Sequence, residues 1–412
     1  MTRTTRRLLF FVFAALFVII GIAAMLVSQG IRIDTSSFAF EKTGGIFIAA
    51  LPADAAIFIN DLPTRSDGGV FQENVFVGDL APGAYRVRIE KEGFYPYGKE
   101  FPVEPGLVTR ATHVVLAPQK ITAVSGPPRD EPSAPPVLYD AARAAYMLRD
   151  AATGSLLNIN LLFSNLKERQ LGLPGAVTVT NAFPHPFNAD QVFIMTRRAM
   201  YLLNARRVSL ELLAQGTPRT AAVLGNRLVW AEYDEKSDAT VIRAYDTFLR
   251  TVSSFDETIS GEPDAFVPSS VSDTIVIRRR DGAAFVWDDP GNAFHRVGRG
   301  PLERIRVSPD GNRIAFAEVG SSAVAVYDTR TATTASFPLD SAPMRDGIWY
   351  ADSFHLFVRA NDSAFFLDTD EKTPVYAPRI ADGVSAFSYD ADRNRLYVSD
   401  DAGAARFLDF NF

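Results

Sequence analysis

RIRVSPDGNRIAFAEVGSSAVAVYDTRTATTASFP, residues 304–338, reads as four short strands joined by tight turns. Ile305-Arg306-Val307 runs into Ser308-Pro309-Asp310-Gly311-Asn312, where proline presets φ at the second turn position and glycine follows aspartate. Ile314-Ala315-Phe316-Ala317 runs back. Ala323 to Tyr327 makes a third strand that stops at Asp328, and Thr334 to Phe337 makes a fourth.

That stop recurs. A large apolar residue followed by Asp or Asn closes a strand at Leu157-Asn158, Leu203-Asn204, Tyr245-Asp246, Trp287-Asp288, Tyr327-Asp328, Leu367-Asp368 and Leu408-Asp409, at intervals of 40 to 46 residues. A period near 40 built from short strands marks the blades of a β-propeller. Asp or Asn at a strand end bonds its own backbone two residues on and starts a turn, so the beat reports architecture rather than chemistry. SPDGNRIAF (308–316) resembles the repeats of TolB-like and related WD40-like propellers, and only this unit carries it intact.

The other units are degenerate but keep register. Tyr139-Asp140-Ala141 followed by Tyr146-Met147-Leu148 in the first mirrors Tyr389-Asp390-Ala391 followed by Tyr397-Val398 in the last. Seven beats over residues 137–412 therefore imply seven blades, with six or eight as the alternatives. The chain ends after the third strand of its last unit, which makes Lys120-Ile121-Thr122-Ala123-Val124 the candidate closing strand.

Before the repeats, Leu8 to Val27 is free of charge, and Arg3, Arg6 and Arg7 precede it. As a helix, twenty residues span roughly 30 Å, the thickness of a hydrocarbon core. The positive-inside rule keeps residues 1–7 in the cytoplasm and sends residues 31–412 across the membrane. The expectation is a single-pass anchor in the lipid bilayer over 8–27. A cleaved signal peptide is the rival reading, disfavoured by the length of the run and by a poor cleavage site at Val27-Ser28-Gln29.

A polar spacer, 28–43, leads to period-2 strand patterns over 44–118, enough short strands for a small β-sandwich. Pro52-Ala53-Asp54-Ala55-Ala56-Ile57-Phe58-Ile59-Asn60-Asp61, then Leu80-Ala81-Pro82-Gly83-Ala84-Tyr85-Arg86-Val87, then Lys91-Glu92-Gly93-Phe94 form an ordered triplet that resembles the PEGA domain. The resemblance implies a β-module of bacterial or archaeal surface proteins. The chain departs from the family at Asp61, where glycine is usual, and in a longer loop over 63–76. Residues 119–136, with GPPRDEPSAPP at 126–136, read as a linker that holds the possible closing strand.

The totals narrow the function. The net charge is −6, and no basic stripe is present, which argues against nucleic acid as a partner. With no cysteine, thiol catalysis, disulfides and Cys-based zinc sites are excluded. The four histidines, His113, His185, His295 and His355, have no metal-like spacing. Neither a G-x-S-x-G elbow nor a P-loop occurs. Asp390-Ala391-Asp392-Arg393-Asn394 has the oxygen spacing that opens a calcium loop but lacks its glycine and distal glutamate, so it reads as a hairpin turn. Arg278-Arg279-Arg280 reads as a solvated edge. Phe94, Tyr95 and Tyr97 could stack on sugar rings, against which stands ordinary packing.

The expectation is thus a mainly β, non-catalytic cell-envelope protein, with no cofactor, no metal and no catalytic residue. It would bind a protein or envelope polymer through its extracytoplasmic β-domains. The alternatives are a glycan adhesin acting through the PEGA-like region and a propeller that senses a small ligand. No residue marks which surface binds.

Overall fold

The apolar N-terminal run forms a helix, α1 (Arg3–Ser28), in a computed structural model that describes all residues except 1–2, 29–30, 34–39, 65–73, 125–135, 150–152, 174–176, 268–273, 289–292 and 340–342. Phe10, Phe11, Val12 and Phe13 point successively around the helix, and all are exposed. Among the described residues no helix is long and apolar enough to cross a membrane; the described side chains of α1 run from Leu9 to Ile22, with Met25 beyond.

The stretch expected to be a spacer carries structure. Ile31–Ile33 pairs antiparallel with Phe40–Lys42. A two-sheet sandwich follows. In one sheet Gly44–Leu51 lies between Asn74–Leu80, antiparallel, and Val108–Val115, parallel. The other runs in the order Leu62–Pro63, Ala56–Ile59, Gly83–Glu90, Tyr97–Val103. Alternation drives the pairing of the sheets: Ile46 and Ile48 of one face Ile57, Val87, Ile89 and Phe101 of the other in a common core.

From Val137 onward the described residues are almost entirely antiparallel sheet, in seven successive sheets. The fifth is the unit read first from the sequence: Leu302–Val307, Arg313–Glu318, Ala323–Asp328 and Thr333–Pro338, in that order. Its second strand is buried on both sides. Ile314 and Phe316 pack toward the fourth sheet, whereas Ala315 and Ala317 pack toward the sixth. Side chains alternate across a strand, so a sheet stacked on both faces needs a continuous apolar run. Similar clusters join the first sheet to the second, the second to the third, the third to the fourth and the sixth to the seventh. The arrangement is mainly β and propeller-like.

Two features depart from simple repetition. The first sheet has three strands, and then a helix, α2 (Ile159–Leu171), follows where the other units place a fourth strand. Asn158, a beat residue, caps α2 by accepting from the Leu161 backbone N–H at 2.9 Å. Gly172 ends it in the left-handed conformation at φ 61°. Ile159, Phe163 and Leu166 are its buried face. No helix was anticipated within 137–412.

The other departure is long-range. Ile121–Ala123 adds to the seventh sheet, pairing antiparallel with Ala405–Asp409 through Ile121–Leu408, Thr122–Phe407 and Ala123–Arg406. The rest of the stretch read as linker lies largely outside the described residues.

The beat itself acts as a turn starter. The side-chain oxygens of Asn204, Asp246, Asp328, Asp368 and Asp409 accept backbone N–H groups two or three residues on. The Asp288 side chain lies outside the described residues.

Candidate functional site

The sandwich does not hang from the sheets as a separate bead. Along Tyr97–Val103 the residues in phase with the apolar face are Tyr97, Lys99, Phe101 and Val103, and all four are buried. Lys99 is 0% exposed, and such a charge needs a partner. It finds Asp368 of the sixth sheet, whose Oδ2 lies 3.0 Å from Nζ, and the Asp370 carbonyl at 2.8 Å. The Tyr97 hydroxyl donates to the same Asp368 oxygen at 3.4 Å. Burial, then the Asp368 charge, pushes the Tyr97 phenol well above its ordinary value.

Neutral contacts extend this seam. The Glu100 N–H donates to the Thr373 carbonyl at 2.7 Å, and the Ala117 N–H to the Tyr376 hydroxyl at 3.0 Å. Tyr97 and Tyr376 pack with ring centroids 5.0 Å apart, and Phe94 meets Phe412 at 5.8 Å. Tyr97 is therefore part of an interior, which removes it from any sugar-stacking platform with Phe94 and Tyr95.

Beside the seam opens a cleft of about 570 Å³ whose walls include Arg110, His113, Arg313, Phe354, Asp370 and Lys372. Its centrepiece is the Phe354 ring. His113 stacks on it at 3.4 Å and 12°, and the Arg313 guanidinium carbon sits 3.9 Å from the same centroid. One face cannot hold both groups, so the ring lies between them. Burial, outweighing nearby Asp352, lowers the His113 pKa and favours the neutral ring. Lys372 and Lys99 hold the Asp370 carboxyl below its usual range although burial works the other way. Positive and negative groups alternate here and are largely paired with each other. Such a wall suits a polar ligand bearing both signs.

Behind the cleft, His355 is wholly buried, with Nδ1 2.7 Å from Asp352 and its ring stacked on Phe366 at 4.8 Å. Burial pulls its pKa down, but the Asp352 carboxylate more than offsets this and the net direction is up. Asp352 in turn is lowered by His355 against the effect of burial.

A second cleft, of about 700 Å³, lies where turns of the second and third sheets meet. His185 lines it, next to Phe187, Phe248, Arg206, Arg207 and Arg250. Phe187 and Phe248 stack on one another at 4.9 Å, yet both remain mostly exposed.

The remaining sequence candidates take structural positions. Arg278, Arg279 and Arg280 pair with Asp264, Asp281 and Glu262 respectively. Asp390 to Asn394 forms the turn before Arg395–Ser399, with Asp390 accepting from the Arg393 N–H at 3.1 Å. His295 lies on the outer strand of the fourth sheet. Among the described residues no three His, Asp or Glu side chains converge to hold a metal ion.

Sequence reasoning missed Lys99 and read Asp368 only as a turn starter, not as the partner of a buried charge. The signal was present: a lysine in phase with Tyr97, Phe101 and Val103 is a charge on a buried face. Both clefts escaped because each draws on residues far apart in the chain.

No protein-family model matches the chain, and no curated protein does. Among solved structures it is similar to Hsv2 of Kluyvelomyces marxianus at 12% identity and TM-score 0.35, covering 57% of this chain and 73% of that one. An oligogalacturonate lyase in complex with manganese matches at 14% identity and TM-score 0.37, covering 64% and 82%. Likenesses this loose leave the fold to be argued from the chain's own sheets.

Proposed function

We propose that this chain is a non-catalytic, membrane-anchored envelope protein. Leu8 to Val27 crosses the bilayer, residues 1–7 stay in the cytoplasm, and residues 31–412 work outside. There a PEGA-like sandwich and a seven-bladed propeller bind a protein or envelope polymer. The observation that carries this reading is the buried Lys99–Asp368 pair, which locks the sandwich and the sixth sheet into one body. A rigid two-part body at the end of an apolar helix suits presentation of a binding face at fixed orientation. The exposed side chains of α1, with three arginines before its apolar run, support the anchor.

Protease added to intact cells that carry a C-terminally tagged chain tests the reading. The tag should be lost, while an N-terminal tag survives until lysis. Protection of the C-terminal tag in intact cells overturns the topology. Release of the chain by alkaline carbonate overturns the anchor.

A further inference from the structure

The second cleft has the composition of a recognition site. Its arginines have distant carboxylate partners: Arg206 stands 3.9 Å from Asp190 and Arg250 3.6 Å from Glu211, with the Arg206 and Arg250 side chains 83% and 62% exposed, and Arg250 also meets the Tyr245 side chain. Arg207 is exposed, and its guanidinium has no ion pair among the described residues. By contrast, Arg219 meets Glu235 at 2.7 Å and Arg280 meets Glu262 at 2.6 Å. A loosely paired cationic cluster on a chain of net charge −6 is a local reversal of sign.

The apolar part is equally specific. Phe187 and Phe248 are exposed rings without a polar edge, and Leu249 and Val208 on neighbouring turns are exposed as well. Exposed apolar patches rimmed by polar groups mark interaction sites, and aromatic residues with arginine are what interfaces concentrate. Asn188, Gln191 and Thr247 also line the cleft and offer amide and hydroxyl groups suited to a peptide backbone. The His185 Nδ1 accepts the Phe187 N–H at 3.2 Å, which leaves its other nitrogen to carry the proton of the neutral ring.

We propose that this cleft binds an acidic peptide segment that carries an apolar side chain, with carboxylates on Arg206, Arg207 and Arg250 and the apolar group on Phe187 and Phe248. Two features favour a peptide over a flat lipid surface: the site is concave and it is lined by amides. The two exposed rings, Phe187 and Phe248, carry no hydroxyl or ring N–H, and the Tyr245 that also lines the cleft is buried, which favours an apolar side chain over a sugar face. The assignment rests on the reading of the protein as a binding scaffold, but not on the side of the membrane it occupies.

The test is selection of a displayed random-peptide pool on the full-length chain in detergent, followed by anisotropy with the enriched peptides. Enriched sequences should pair acidic with apolar residues and bind more weakly as salt screens the arginines. Arg207→Glu with Arg250→Glu should weaken binding at least tenfold, and so should Phe187→Ser with Phe248→Ser. Both pairs lie on exposed turns, and an unchanged melting temperature would separate lost binding from lost fold. Enrichment of cationic or uncharged sequences, or binding by either variant within twofold of the parent, overturns the proposal. So does binding of a polyuronate such as alginate, lost in the charge-reversed variant, with no acidic peptide enriched.

Discussion

Asp246 and Asp368 occupy the same position in two sheets and do different work. In the third sheet Asp246 starts a turn, accepting from the Phe248 and Leu249 N–H groups at 2.8 and 2.9 Å, and its second oxygen meets the Asn226 amide at 3.3 Å. In the sixth sheet one oxygen of Asp368 starts the turn in the same way, at 2.8 Å from the Asp370 N–H. Its other oxygen is buried against Lys99 and Tyr97 of the sandwich. A carboxylate has two acceptors and the turn needs one. Where the beat residue is aspartate rather than asparagine a second oxygen is left over, and the sixth sheet uses its own to fasten a second domain.

Lys99 is what sets the two aspartates apart. Replacing it with methionine leaves a buried carboxylate alone, and the expected loss is about 3–5 kcal/mol in chemical denaturation. Adding Asp368→Asn to Lys99→Met should restore most of that, because asparagine still starts the turn without a charge. At the corresponding site of the third sheet, Asp246→Asn should stay within about 0.5 kcal/mol of the parent. Equal costs for Lys99→Met and Asp246→Asn would show that the buried pair does not fasten the domains.

A smaller effect lies beside the junction and depends on pH. The His355 pKa is raised in the folded protein, so its contribution is full below the unfolded value of about 6.5 and is lost as pH rises through the folded value. Denaturation midpoints should therefore fall as pH rises above about 6.5. In His355→Phe that part of the slope should vanish; a slope retained there would assign it to another group. On the acid side Asp352, held low, contributes above about pH 4 and loses its contribution as pH falls through the depressed folded value.

Smaller still is the turn itself. Asp246→Ala removes the acceptor for two backbone N–H groups, and the expected cost is about 1 kcal/mol, comparable to loss of a helix cap. Arg280→Ala removes an exposed pair with Glu262 and should change stability by less than about 1 kcal/mol. Were Arg280→Ala the costlier of the two, the beat would not be the structural element of the repeat.

How much was legible follows from how local each cause is. The fifth sheet was readable to within one residue at its strand ends, except that its first strand starts at Leu302 rather than Ile305, since Pro309, Gly311 and Asp328 fix its turns within a few positions. Ile121–Ala123 was readable because the last unit lacked a strand. Helix α2 was missed although Asn158 stood before Ile159, Phe163 and Leu166 at helical spacing; the repeat supplied an expectation of another strand that overrode the local pattern. The clefts were not legible, because Phe187 meets Phe248 and His113 meets Phe354 only once the sheets are stacked.

The pairing of Ile121–Ala123 with Ala405–Asp409 also sets an order of assembly. The first of these strands leaves the ribosome well before its partner, which lies at residues 405–409. Until then the closing strand has nothing to pair with, and the sandwich waits as well for Asp368 to receive Lys99. Non-local pairing of this kind is slow and leaves strand edges open in the meantime. The seventh sheet is therefore completed only once residues 405–409 have been made, and a chain cut short before residue 405 would leave Ile121–Ala123 without its partner strand.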